Sequence, residues 1–380
     1  STELVITDPD NVLVANIGVQ ISDNEVHVPL ATITNQRIVT THNQGNDRLN
    51  AAGVTSTLSL EVAGGPGDDT LTGGLLDDML SGGPGDDDLD GGGGTDVLTI
   101  MEDGRLSITT TQTFGQGTDT FANIEQAVLE GGSGNNRLDA SLATIPVTLL
   151  GRAGNDILLG GSAADVLDGG AGIDFAEIFG SSIVLTDGSA PGAGEETLIA
   201  LEGLLLIALA RGSSIDASGY TLGQVTIIGS SGNDTLKGGS AGGMIMAGAG
   251  RDSVDGGDGA DFITGGRGRD TINGNGGNDS IFGGGGRDLL DGGADSDVLS
   301  GGNQADTILG GDGTDFVFGG RGRDSIDGDG GADTLFGGNG RDNIAGGLGA
   351  DRLNGIERDD SFNQLVARDI LIGGIRPSGR

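Results

Sequence analysis

The sequence predicts an all-β fold, a solenoid of short parallel strands wound into stacked coils and interrupted by inserted strands and hairpins. Three observations predict it. Glycine supplies 80 of the 380 residues, and these glycines are phased rather than scattered. One nine-residue frame recurs over long stretches without insertion. Within it, a single apolar residue returns two places after an aspartate. Aromatics are 3% of the chain, and Trp and Cys are absent. An aromatic-packed core and a disulfide scaffold are therefore excluded.

The frame reads G-G-x-G-x-D-x-U-x, with U apolar, and runs from Gly229 to Ile372, sixteen repeats in 144 residues. Position six is aspartate in fifteen of them; in "GGSAGGMIM" (238–246) Gly243 replaces it. The last two repeats, "GIERDDSFN" and "QLVARDILI", keep Asp360 and Asp369 but lose most glycines, as a cap would. Two shorter arrays share the frame, four repeats over 64–99 and three over 151–177. Each array follows a similar lead-in, such as "RLNAAGVTSTLSLEVAGG" or "RLDASLATIPVTLLGRAG". Three blocks are expected: 1–100 with the first array, 101–178 with the second, and 179–380 with the long array and its cap. "VLTIMEDGRLSIT" (97–109) reads as a hairpin turning at Asp103-Gly104.

One repeat is a turn followed by a three-residue strand. Glycines let the turn take positive φ and aim carbonyls at one spot, while the strand directs U inward. Two repeats make one coil, and coils stack at the parallel-ladder spacing of about 4.8 Å. Aspartates two repeats apart then lie above one another. Asp234, Asp252, Asp270, Asp288, Asp306, Asp324 and Asp342 line one edge of the long array. Asp261, Asp279, Asp297, Asp315, Asp333 and Asp351 line the other. The short arrays contribute Asp69, Asp78, Asp87 and Asp96, then Asp156, Asp165 and Asp174. Bare carboxylates so close repel strongly. A hard cation between successive turns relieves this, and carboxylates with glycine carbonyls form the all-oxygen donor set that Ca²⁺ prefers over Mg²⁺.

These arrays closely resemble the RTX (repeats-in-toxin) family, whose hemolysin-type nonapeptides form a calcium-binding β-roll. The resemblance implies multiple Ca²⁺ ions, roughly a dozen, held at these aspartates. Adjacent same-edge pairs number fourteen, and two charges per ion would take the net charge from −37 to about −9. Folding is then expected to be calcium-coupled, loose in the cytosol and closed outside the cell. Family members commonly use this for type I secretion, although "GGIRPSGR" (373–380) carries no clear secretion signal.

With 56 acidic against 19 basic residues, the chain repels nucleic acid and anionic membrane. Its most apolar run, "LIALEGLLLIALA" (198–210), holds Glu202 and is too short to span a bilayer. Beginning at Ser1, the chain is read as a processed or trimmed product.

No catalytic constellation stands out. His27 and His42 form no H-E-x-x-H, Lys237 follows Leu236 and not a Walker glycine, and "GGSAG" around Ser240 lies inside the repeat. Alginate epimerases also carry RTX modules, but Tyr220 is the one tyrosine here and "DPDN" (8–11) has no histidine beside it.

The outward positions are more specific. One face carries Met244, Met246, Phe262, Phe282, Val298, Phe316, Phe318, Phe336, Ile370 and Ile372, a surplus for a roll that needs only U inside. That face packs either on the chain's own insertion (179–228) or on another molecule. Position five on one edge is a row of Arg251, Arg269, Arg287, Arg323 and Arg341, which either relieves acidic crowding or docks on a neighbour's acidic edge.

The expectation is an extracellular or cell-surface, non-enzymatic calcium-binding structural protein: a fibre, matrix, surface-layer or adhesin component. The rival is a calcium-dependent folding and secretion module cut from a larger RTX toxin or secreted hydrolase. Expected partners are calcium, further copies through the Met244/Phe262/Phe282/Phe318/Phe336 face, and cell-surface polysaccharide. The strands of 11–30 are expected to add to a neighbour's sheet.

Overall fold

A computed structural model describes residues 3–7, 14–15, 19–20, 26–29, 38–41, 45–52, 59–180, 182–186, 190–191, 195–199, 201–208, 210–355, 360–364 and 369–372. Among them every regular element is a strand. There is accordingly no helix long and apolar enough to cross a membrane. "DPDN", His42 and the 373–380 tail lie outside the described residues. The chain forms two compact units, 1–176 with 194–201, and 177–193 with 202–380.

In the second unit the nine-residue frame becomes two parallel sheets facing each other, each contributing one row of apolar side chains to the interior. Strands from alternate repeats pair in register. Ile263 aligns with Ile281, Leu299, Val317 and Leu335 in one sheet. Ile272 aligns with Leu290, Ile308, Ile326, Ile344 and Phe362 in the other. All eleven are at most 1% exposed. Burial of each such side chain contributes about 1.5–3 kcal/mol. A core one residue thick per sheet explains why the chain can dispense with aromatics. Four strands of the insertion 179–228 join the same stack, while Glu195–Ile199 belongs to the first unit, where it pairs with Val166–Asp168. Gly203–Ala208 and Gln224–Ile228 extend one sheet, and Ser182–Thr186 and Ser214–Gly219 extend the other, all parallel. It therefore does not cover the apolar stripe: Met244, Phe262, Phe282, Val298, Phe316, Phe318, Ile370 and Ile372 stay exposed.

The first unit repeats this plan with longer coils. One sheet runs Leu60–Ala63, Met79–Ser81, Val97–Met101, Gln126–Glu130, Val147–Leu150 and Val166–Asp168, all parallel. Here the expected hairpin at Asp103-Gly104 is corrected. Val97–Met101 lies in this sheet, but Arg105–Ile108 belongs to the opposite one, where it pairs in parallel with Arg137–Asp139. Asp103-Gly104 is a coil corner: Gly104 N–H donates to Asn136 Oδ1 at 2.6 Å and its carbonyl accepts from Arg137 N–H. Burial decides the matter, since Leu98, Leu106 and Ile108 all reach the interior only if the chain turns the corner. The antiparallel hairpin comes one strand later, Arg105–Ile108 with Gln112–Phe114, which returns against Thr118–Ala122. At the start, Glu3–Thr7 pairs antiparallel with both Arg48–Asn50 and Val26–Pro29. The Val26–Pro29 part of the 11–30 segment thus adds to a strand of its own chain.

Candidate metal centre

Position six closes each edge turn, and both its backbone and its side chain extend the β-ladder. Asp306 N–H donates to Asp324 Oδ1 at 2.9 Å, and the Asp306 carbonyl accepts from Ser325 N–H at 2.9 Å. The same N–H to Oδ1 link joins Asp69–Asp87, Asp78–Asp96 and Asp156–Asp174. It joins Asp234, Asp252, Asp270, Asp288, Asp306, Asp324 and Asp342 in succession. It also joins Asp261, Asp279, Asp297, Asp315, Asp333 and Asp351. Asp360 and Asp369 continue the two edges into the cap. Each two-repeat step between these aspartates read from the sequence is thus a contact.

All of these aspartates through Asp351 are at most 4% exposed, so the second carboxylate oxygen needs a partner. At Asp87, Asp96, Asp156, Asp252, Asp261, Asp270, Asp279, Asp288, Asp297, Asp306, Asp315, Asp324, Asp333 and Asp351, Oδ2 accepts no hydrogen bond from any described residue. Asp69, Asp174 and Asp342 are equally buried in the same ladders. What surrounds Oδ2 is visible at the first glycine of the repeat. A Cβ on Gly319 would lie 2.5 Å from the Gly337 carbonyl oxygen and 2.8 Å from Asp324 Oδ2. Carboxylate oxygen and carbonyl oxygen flank the same bare Cα, acceptor beside acceptor.

The chain contains its own controls. Asn136 occupies position six on the edge of Asp156 and donates its N–H to Asp156 Oδ1 at 2.7 Å. Its amide Nδ2 donates to the Gly134 carbonyl at 2.8 Å and leans toward that of Gly151 at 3.5 Å. Where aspartate becomes asparagine, a donor fills the place and the carbonyls are satisfied. At Asp119 a hydroxyl does the work, Thr113 Oγ1 donating to Oδ2 at 2.6 Å. Three predicted ligands use backbone instead. Oδ2 of Asp78, Asp165 and Asp234 accepts from the N–H of Gly74, Gly161 and Ser230 at 2.5–2.7 Å. Their repeats break the glycine rule: Leu76 and Ala163 stand at position four, and Ser230 at position two. Elsewhere position two turns left-handed, as at Gly320 with φ 108°, and position four does likewise, as at Gly322 with φ 155°. Leucine and alanine resist that region by about 1–2 kcal/mol.

Among the described residues, no group of three or more His, Cys, Asp or Glu converges. What the edges offer is all oxygen, the buried Oδ2 atoms beside glycine carbonyls, a chemistry that fits a hard, weakly directional cation of calcium's type. Electrostatics agree. Burial pushes Asp333 up to about 7; the stacked Asp315 and Asp351 raise it further, while the Asp315 N–H opposes them. Asp87, Asp261, Asp297 and Asp306 are likewise pushed to about 7, and Asp96, Asp252, Asp279 and Asp324 to about 6, burial leading in each.

The RTX calcium-binding nonapeptide repeat model matches residues 63–98, 148–176 and, in overlapping copies, 226–355, just over half the chain. This chain belongs to the RTX calcium-binding repeat family. No curated protein matches it. As an RTX protein it carries calcium-binding turns on a β-roll, and its ladders extend beyond the matched repeats. Asp47 N–H donates to Asp69 Oδ1 at 2.6 Å, Asp87 N–H to Asp119 Oδ1 at 3.1 Å, and Ser213 N–H to Asp234 Oδ1 at 2.5 Å. In the sequence Asp47, Asp119 and Ser213 each stand ahead of an array, outside the nine-residue frame. The signal was present in "FGQGTDTFA" (114–122), a single turn out of phase with its neighbours, with Phe114 in place of the first glycine.

Proposed function

We propose that this RTX chain is an extracellular calcium-rigidified structural protein that self-associates, as a fibre, matrix, surface-layer or adhesin component. Calcium would occupy the edges between successive aspartates, up to the fourteen same-edge pairs, and switch a repulsive chain of net charge −37 into a stiff roll. The observation that carries self-association is the apolar stripe on the long array. Phe262 and Phe282 pack as tilted rings with centroids 5.4 Å apart, and Phe316 and Phe336 likewise at 5.3 Å, on a sheet face that already has its core on the other side. Aromatic side chains are scarce in this chain, and a solvent-facing row of them is surface suited to a partner.

Sedimentation and electron microscopy in millimolar calcium, then after chelation, test this reading. Large ordered assemblies that dissolve on chelation support it. A strict monomer at high concentration would favour the second reading, a calcium-dependent folding and secretion module of a larger RTX toxin or hydrolase, for which the buried, cation-demanding ladder is also suited.

A further inference from the structure

The two edges of the long roll differ in charge as sharply as its two faces differ in polarity. Turn positions one to five on the edge that carries Asp252 through Asp342 hold seven arginines between 247 and 341 and no acid. The same positions on the opposite edge, between 256 and 350, hold Asp258, Asp295, Asp312 and Asp329 and no base. These arginines and these four aspartates are exposed. None makes an ion pair within 4 Å among the described residues, whose pairs include Arg137–Asp139, Arg152–Glu130 and Lys237–Asp216. Arg287 acts on Asp306 only at range, so in a chain with 37 surplus negative charges these seven guanidinium groups keep their direct ion-pairing capacity for a partner.

We infer that the arginine edge of one copy docks on the aspartate edge of a second copy, in parallel and in coil register. This rests on the self-association reading and names its surface. Charge complementarity selects the occupant. The period selects it too, because both edges rise one coil every two repeats, so a match at one coil is repeated at the next. Since the two edges are different surfaces, the contact is heterologous and does not close. It propagates as a row of rolls side by side, with every apolar stripe on the same side of the row.

The test uses the full chain in calcium, followed by sedimentation. The variant Arg251→Glu/Arg269→Glu/Arg287→Glu/Arg323→Glu/Arg341→Glu is expected to weaken assembly by at least about tenfold. The matching Arg→Gln set, which adds no negative charge, should weaken it less. Circular dichroism in calcium confirms that each set folds. An Asp258→Arg/Asp295→Arg/Asp312→Arg chain should also fail alone, and mixing it with the Arg→Glu chain should restore co-assembly. At fixed calcium, added salt should dissolve the assemblies. Wild-type assembly that the Arg→Glu set leaves unchanged, or that salt strengthens, overturns the edge pairing and leaves self-association standing. Wild type that never assembles defeats the self-association reading itself. A monomer that binds polygalacturonate through these arginines overturns the inference by giving the edge another partner.

Discussion

Asp306 and Asp324 share one hydrogen bond and leave another demand open. Asp306 N–H reaches Asp324 Oδ1 at 2.9 Å, while Asp324 Oδ2 accepts from no described residue. One oxygen builds the ladder, and the other faces glycine carbonyls. The two roles can be separated by mutation. Asp324→Asn keeps an acceptor for Asp306 and supplies a donor where Oδ2 stood, as Asn136 does. It is expected to fold in calcium with about two fewer ions, one from each neighbouring pair. Asp324→Ala loses both roles and should unfold at lower denaturant by about 1–3 kcal/mol. Calcium counting by native mass spectrometry, beside urea melts, distinguishes them.

The converse change is Asn136→Asp. It places an oxygen against the Gly134 and Gly151 carbonyls, which Asn136 now satisfies. Without calcium the variant should lose about 1–3 kcal/mol. With calcium it should recover and bind an additional ion. A variant as stable as wild type in chelator would break the argument from these carbonyls.

Protons and calcium compete for the same oxygens. The folded-state pKa values of Asp87, Asp261, Asp297, Asp306 and Asp333 are raised to about 7, above the ordinary carboxylate value of 3.8. Between those limits the folded chain binds more protons than the unfolded one, so metal-free stability falls as pH rises from about 4 to 7. In chelator, structure seen by circular dichroism at pH 4 should melt as pH climbs to 7. With calcium present, the required concentration should rise as pH drops below 7.

The core is thin, and each coil depends on its own apolar residue. Ile308 is fully buried, aligned between Leu290 and Ile326. Ile308→Ala is expected to cost about 2–5 kcal/mol, read from calcium-saturated unfolding curves. Phe318→Ala, on the exposed stripe, should leave folding nearly unchanged and act on assembly instead.

The frame was legible because its signals are local: glycine at positions one, two and four, aspartate at six and U at eight fix turn, edge and core within one repeat. Pairing between alternate repeats follows from two turns per coil. What escaped was where coil length varies. Between Asp87 and Asp119 the step is 32 residues, and between Asn136 and Asp156 it is 20, so a fixed period loses the ladder. The corner at Asp103-Gly104 looked like a hairpin because the same two residues suit both turns. Parallel pairing with the later strand Arg137–Asp139, and the burial of Leu98, Leu106 and Ile108 that goes with it, decide between them. The backbone capping of Asp78, Asp165 and Asp234 was hidden for a subtler reason. The aspartate itself is unchanged, and the difference lies in Leu76, Ala163 and Ser230, which alter which backbone group faces it.

The central claim is that cations bridge successive aspartates along both edges. Anomalous scattering from a calcium-grown crystal tests it most directly. The account predicts a column of ions along each edge of the long array, one between each successive aspartate pair from Asp252 to Asp342 and from Asp261 to Asp351. An ion count near three in all, or ions confined to the outer face away from Oδ2, would contradict it.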